Sequence, residues 1–342
     1  MNITNKKPYV IAEIGNNHRG IVKLAKKMIY HAKLAGANAV KFQKRHNKYL
    51  FTKDFYNSPY INKNSFGKTY GQHRDYLELS SSNYKELKNY AKKIKIDFFA
   101  TAFDFESVDF LKKLNLPAFK IASGDLTNLP LQQKVAKLRK KIVLSTGGGS
   151  LKNVKIAYEN ISKFNKDIVV MQCTSSYPAK PEEMNLNVIK TYKKNFPKSI
   201  IGLSDHENGI DAGPIAYMLG ARVFEKHFTL NRSDKGTDNA FSLEPDGLRK
   251  FVRNLHRVDL LLGSKNKVRL KSEIEPMFKM EKSIVANKDI EVGKILKFND
   301  LSFKSPGDGI PPNQYKEIIG RKVKKKILKD QKINLKDLNR ND

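Results

Sequence analysis

Eight short apolar runs, each followed by a loop and a helix-like stretch, recur through the chain and constrain its fold more than any other feature. They lie at 9–14, 39–43, 98–101, 118–121, 141–145, 168–172, 200–204 and 223–227. Between them run amphipathic segments such as 22–35, 83–94, 105–114, 153–164 and 209–219. Parallel neighbours in a sheet need crossover connections, and helices usually supply them. Eight such βα units in about 250 residues is the count of a (β/α)8 barrel. A doubly wound open sheet has the same rhythm. The polar residues at the ends of the runs separate the two: Glu13, Lys41 with Gln43, Thr101, Lys120 with Ser123, Ser145, Gln172 with Thr174, Ser204 with His206, and His227. A barrel gathers all eight ends at one mouth, whereas an open sheet spreads them along a crevice. An α/β barrel is therefore expected over residues 1–263, with its chemistry at that mouth.

The stretch 45–80 is longer than an ordinary βα connection and carries aromatics, glycines and His73-Arg74-Asp75, the makings of a lid. After Gly263 the pattern changes. Residues 264–276 are polar and charged, which predicts a linker. Residues 277–342 predict a small domain of short strands at 283–286, 293–296 and 305–309. A unit that small has a meagre core and needs a surface to dock on.

Lys and Arg number 65 against 34 Asp and Glu, a formal net charge of +31. Such an excess is the footprint of a nucleic-acid binder. Against that, only 12 of the 65 are Arg, the residue suited to bidentate contacts with bases and phosphates. The excess is also spread in proportion to length, so there is no basic arm, and no nucleic-acid partner is expected. A single Cys fits a reducing compartment. With no signal-like core at the start and no apolar run of membrane-spanning length, a cytoplasmic protein with no membrane partner is expected.

His206 follows the seventh run and His227 ends the eighth, so both imidazoles reach the same mouth. Two imidazoles with a carboxylate or waters suit a divalent ion such as Mn, Co or Zn; structural hydrogen bonding is the other reading. Lys41 and Lys120 sit within apolar strands, where each needs a partner. Either they form internal ion pairs, or together they receive an anionic carboxylate or phosphate. The loop Ser145-Thr146-Gly147-Gly148-Gly149-Ser150 adds hydroxyls and open amides, a candidate phosphate cradle. Glu13 and Asp125 are carboxylates that could order a water or move a proton, or else serve as partners for the lysines. Cys173 reads as a small buried hydrophobe. His18 reads equally as a ligand contact or as a cap before the first helix.

The motifs AEIGNNHRG (12–20), AGANAVKFQ (35–43), HRDYLELS (73–80), FKIASGDLTNLPL (119–131), VLSTGGG (143–149), QCTSSYPAKPEEMNL (172–186), IGLSDHENG (201–209) and EKHFTL (225–230) resemble the sialic acid synthase family. Residues 277–338 resemble that family's C-terminal antifreeze-like (SAF) domain, through KSIVANKDIEVG (282–293) and SPGDGIPP (305–312). The resemblance spans essentially the whole chain, with the motifs in order. It implies condensation of phosphoenolpyruvate with an N-acylated hexosamine, typically N-acetylmannosamine, giving a nine-carbon 2-keto acid and phosphate. It also implies that His206 and His227 hold Mn2+, with Mg2+ or Co2+ as alternatives, and that Glu13 orders the attacking water. Lys41, Lys120, Thr101, Ser123, Ser145 and Ser204 would hold phosphoenolpyruvate, while Gln43, Tyr177 and Asp238 would face the sugar. In this family the SAF domain of one subunit caps the other's barrel in a domain-swapped homodimer.

Four departures from the family pattern fall on the sugar side. Asp125 stands where Glu is common, and Ser175 where Asn is possible. The loop 147–149 is all glycine. Ser305 replaces an Arg that reaches the sugar's acyl carbonyl, leaving Lys304 as its substitute. N-acetylneuraminate is the expected product, with legionaminate- or pseudaminate-type acids from diacetamido sugars as the alternative. A Schiff-base aldolase built on Lys41 or Lys120 is a further enzymatic reading.

Overall fold

The computed structural model describes residues 1–339. This chain divides after Gly263 into two compact units. In the first, eight parallel strands close into a barrel in sequential order: β1 (Tyr9–Gly15), β2 (Ala39–Lys44), β3 (Asp97–Ala102), β4 (Ala118–Ile121), β5 (Lys141–Ser145), β6 (Ile168–Cys173), β7 (Ile200–Asp205) and β8 (Val223–His227). β1 pairs with both β2 and β8, which seals the ring. A helix follows each strand. Five are those expected from periodicity, and Leu129–Ala136, Val188–Asn195 and Pro245–Leu262 complete the set.

Residue parity explains how the barrel is filled. Val10, Ala12 and Ile14 on β1, Val40 and Phe42 on β2, and Leu144 on β5 pack outward in one core with the helices. Ile11, Ala39, Phe99, Ala118, Val143, Val169 and Val223 point inward and close the lower barrel as a second core. Each fully buried Ile, Val or Phe among them contributes about 2 kcal/mol. Above the inner apolar layer, the same inward parity reaches Glu13, Lys41, Thr101, Lys120, Ser145, Ser204 and Glu225. At the strand ends the chain turns tightly into the helices. Asp104 and Ser150 accept the amides of Ser107 (2.7 Å) and Asn153 (3.3 Å), capping Phe105–Lys113 and Leu151–Ser162.

The long connection after β2 folds into the short helices Asn47–Leu50, Lys53–Asn57 and Tyr70–Leu77. Its aromatics pack on themselves, with buried His73 held among Tyr60, Phe66 and Tyr70. His73 Nδ1 accepts the Phe66 amide at 3.1 Å, and burial pulls its pKa down to about 4. His73 is thus a structural residue of this segment.

The second unit has its own small core, which includes Ile284, Ile290, Leu301, Ile318, Val323 and Ile333. It departs from the expected strand layout. β9 (Ser283–Ala286) pairs antiparallel with β10 (Leu301–Lys304), not with 293–296 or 305–309. The segment 293–296 makes only a single bridge, Ile295 to Lys322. In 305–309, Pro306 has no amide to offer a ladder. The expected linker is itself partly helical, with Ile274–Met280 forming an α-helix.

Asp300 anchors the second unit's charges. It meets Lys294 at 2.7 Å and Lys288 at 3.2 Å, and accepts the Lys297 amide at 2.9 Å. Burial alone would raise its pKa, but these partners outweigh it and bring the carboxyl down to about 2. A folded-state pKa below the ordinary 3.8 gives stability that is present above about pH 4 and lost as pH falls towards 2. Asp300→Asn should therefore cost about 2 kcal/mol at pH 7 in urea unfolding. The deficit should shrink between pH 4 and 2, and a deficit independent of pH would contradict this account.

Candidate active site

All the expected site residues except Asp125 and Lys304 line one cavity of about 540 Å³ at the carboxyl ends of the strands. Its floor is a buried charge network. Glu225 Oε2 meets Lys120 Nζ at 2.8 Å. Glu225 Oε1 lies 3.5 Å from Lys41 Nζ and accepts the Ser204 hydroxyl at 3.4 Å. Lys41 Nζ also meets Glu13 Oε2 at 2.7 Å and donates to Thr101 Oγ1 at 3.0 Å. Gln43 Nε2 donates to Glu13 Oε1 at 2.6 Å. Gly15 permits this last pairing: at φ +52° it sits on the bulge ending β1, and a Cβ there would lie 3.1 Å from both Glu13 Oε1 and Gln43 Nε2.

The two carboxylates behave oppositely. Burial pushes up on Glu225, but Lys120 and Lys41 on either side outweigh it and hold its pKa at about 2. At Glu13 burial is the stronger influence. Lys41 offsets only part of it, and the neighbouring charge of Glu225 pushes Glu13 up further. Burial also works against the charge of Lys41, yet two carboxylates raise it. Burial prevails at Lys120, whose pKa is lowered. Glu225 therefore stays ionised as a fixed counter-charge, and Glu13 is the carboxylate poised to exchange a proton.

Across the cavity the rings of His206 and His227 stand 5.3 Å apart, centroid to centroid, with Tyr177 4.3 Å from His206. His206 Nδ1 donates to the Thr174 carbonyl at 2.8 Å, which leaves the lone pair on Nε2. His227 Nδ1 is buried without a hydrogen-bond partner, 3.7 Å from Asp238 Oδ2. Burial pulls His227 down to about 3, so it is a neutral imidazole with nitrogen free to ligate. Among the described residues no three His, Cys, Asp or Glu side chains form a ready-made metal cage. Two adjacent imidazoles, one with an orphaned nitrogen, fit a divalent ion whose other positions are filled by water or substrate.

Some expectations need correction. Asp125 sits on the short turn Ser123–Asp125, accepts from Asn128 at 3.0 Å and lies outside the cavity lining. Period-two parity ends with the strand and does not carry past it. Lys304 lies in the second unit, as its place in the sequence requires, and is ion-paired there with Asp330. Gln172 has outward parity on β6 and donates to the Met184 carbonyl, and Thr174, just past the strand, donates to the Glu183 carbonyl. The glycine loop does not line this cavity, and the Gly147 amide is bonded to Ser123 Oγ at 3.0 Å. Gly147 is required instead by close approach: a Cβ there would fall 2.1 Å from Ser175 Oγ. His18 accepts the Gly20 amide at 3.0 Å and stacks on Phe42, which makes it structural.

Sequence reasoning overlooked Glu225, Arg45 and Arg74. The signal for Glu225 was available, since it precedes His227 by two and shares its inward face.

The NeuB family model matches residues 28–267. The chain belongs to the NeuB family. The SAF domain model matches residues 281–339. The chain is 41% identical over 326 residues to the human N-acetylneuraminate-9-phosphate synthase, covering 95% of this chain and 91% of that protein. It is 40% identical over 332 residues to the N,N'-diacetyllegionaminic acid synthase of Campylobacter jejuni, covering 96% and 99%. Among solved structures, the N-acetylneuraminic acid synthetase of Leptospira borgpetersenii in complex with citrate superposes with a TM-score of 0.69 at 32% identity, covering 81% of this chain and 93% of that one. This NeuB-family chain is thus an enzyme of the sialic acid and nonulosonate synthase group. No helix among its described residues is long and apolar enough to cross a membrane.

Proposed function

We propose that the chain is an N-acetylneuraminate synthase, joining phosphoenolpyruvate to N-acetylmannosamine with release of phosphate. The observation that carries this reading is the buried Lys41–Glu225–Lys120 floor facing the His206–His227 pair in a single cavity. Phosphoenolpyruvate is trianionic when fully ionised. Lys41, which Glu13 and Glu225 both face, and Lys120, which faces Glu225, complement it, and the hydroxyls of Thr101, Ser123, Ser145 and Ser204 share its oxygens. His206 and His227 would hold Mn2+, or Mg2+ or Co2+ in its place, whose chemistry there is Lewis-acid polarisation of the open-chain sugar carbonyl. Gln43, Ser175, Tyr177 and Asp238 would orient the sugar.

The enol π pair at C3 of phosphoenolpyruvate forms the new bond to the sugar's C1 as the C1–O π pair moves onto oxygen, which takes up a proton and becomes a hydroxyl. The resulting C2 cation takes water, whose proton passes to Glu13, a base made stronger by burial and by Glu225. Cleavage of the C2–O bond then releases phosphate, which carries off the bonding pair and takes the proton of the C2 hydroxyl, and leaves the 2-keto acid, with Lys41 and Lys120 stabilising the departing charge. A domain-swapped homodimer, in which Lys304 reaches the sugar's acyl group, belongs to the same proposal, as does a cytoplasmic setting.

Identity with the Campylobacter synthase favours a second reading, in which the sugar is a diacetamido hexose and the product is of legionaminate or pseudaminate type. Incubating the protein with Mn2+, phosphoenolpyruvate and a panel of acylated hexosamines, and measuring phosphate, distinguishes the two. Sugar-dependent phosphate release is expected; none with any member of the panel would overturn the synthase reading.

A further inference from the structure

We infer that the buried ion pair Asp205–Lys226, on the outer side of the barrel wall, is the positioning device that sets the spacing of His206 and His227. This rests on the reading in which the two imidazoles hold a divalent ion.

β7 and β8 meet in successive pairs at their carboxyl ends. Ser204 stands opposite Glu225 and Asp205 opposite Lys226, where the ladder between the two strands stops. Next come His206, already past β7, and His227, the last residue of β8. Alternation turns the serine–glutamate and histidine pairs into the cavity and the Asp205–Lys226 pair outward. The outward positions around that pair are apolar: Leu203 on β7, Phe224 on β8 and Phe228 just beyond it belong to the core shared with the helices. Asp205 and Lys226 interrupt this layer with charge, and each is only 1% exposed.

An apolar pair at this place would stabilise the barrel at least as well, because burying two charges costs about what their attraction returns. What the ion pair adds is direction. Lys226 Nζ meets Asp205 Oδ2 at 2.8 Å and also donates to the Glu207 carbonyl. Asp205 Oδ1 in turn accepts the Glu207 amide at 2.8 Å. Lys226 thus grips both chain neighbours of His206 while being itself the neighbour of His227. The backbone past the ladder does not do this. The His206 carbonyl accepts the Ala179 amide at 3.0 Å, and Glu207 bridges to Ala179. His227 follows β1 instead, in register with Glu13. Each imidazole is therefore carried by backbone tied to a different neighbour, and the Lys226 ammonium joins the two. Ligands to one ion must be held to within about half an ångström, which such a joint supplies.

Lys226→Met alone would leave Asp205 a buried unpaired carboxylate and endanger the fold. The test therefore uses Asp205→Asn/Lys226→Met, which removes both charges and keeps a side-chain oxygen for the Glu207 amide. Its melting temperature should stay within a few degrees of wild type. Its Mn2+ affinity, read by calorimetry, should fall on the order of 10-fold or more, as for other residues that orient metal ligands. Asp205→Asn alone, with Lys226 still bonded to the Glu207 carbonyl, should lose less. Equal Mn2+ affinity in wild type and either folded variant would overturn the clamp. A metal-free measurement separates that result from failure of the parent reading. In ion-free protein carrying nitrogen-15 histidine, His206 should show one tautomer, protonated on Nδ1 by its bond to the Thr174 carbonyl. The double variant should show a mixture. If wild type binds no Mn2+, the ion reading fails and the tautomers decide: an unchanged His206 signal in the double variant would then overturn the clamp.

Discussion

Replacing Lys120 by Met should lower kcat/KM for phosphoenolpyruvate about a thousandfold, the scale expected when a buried donor to developing negative charge is lost. Part of the effect is structural, since Lys120 is 2.8 Å from Glu225, which is itself buried. Without that partner Glu225 keeps only Lys41 at 3.5 Å and the Ser204 hydroxyl. A half-removed buried pair costs about 3 kcal/mol or more, whereas replacing both members by apolar groups is often neutral. The double variant Lys120→Met/Glu225→Met separates the two contributions. It should recover most of the melting temperature lost by the single variant and none of its activity. Recovery of activity along with stability would mean that Lys120 serves only the fold, and that phosphoenolpyruvate is held elsewhere.

The barrel was legible because its physics is periodic. Alternation within each strand sends one set of residues to the helices and the other to the interior, so the eight runs match the observed strands to within a residue or so at each end. The same parity placed Lys41, Gln43, Thr101 and His227 correctly. It was misapplied at Gln172 and Thr174, which are polar but face away from the cavity. Polarity alone does not tell which face a strand-end residue occupies; counting by two from Met171 does. Past the strands the chain follows turns and short helices, and there the sequence has no comparable ruler. That is why Asp125 was placed inside the cavity, and why Arg74, brought in by a helix of the long β2 connection, was flagged only as part of a polar cluster. The second unit was harder still. Its strands β9 and β10 are four residues each, and the rest of its pairing is by single bridges, so no window is long enough to show a period.

Stripping divalent ions with a chelator should abolish phosphate release, and added Mn2+ should restore it. The expectation rests on chemistry that this chain displays without any ion. Thr174 fixes the tautomer of His206, and burial keeps His227 neutral with Nδ1 unpartnered. A buried imidazole nitrogen with no partner is costly unless something occupies it. His206→Asn and His227→Asn should each weaken Mn2+ binding on the order of 100-fold or more, at least the cost of losing an outer-shell partner. Calorimetry with Mn2+ alone reads this directly, independent of turnover. Because neither imidazole pairs with the Lys41–Glu225–Lys120 floor, the variants should still bind phosphoenolpyruvate, which a fluorescence or thermal-shift titration would follow. If the enzyme turned over at full rate in chelator, or bound Mn2+ equally well without either histidine, the ion would have no place between them. The two rings would then be sugar contacts beside Tyr177, and polarisation of the aldehyde would fall to a proton donor of the cavity.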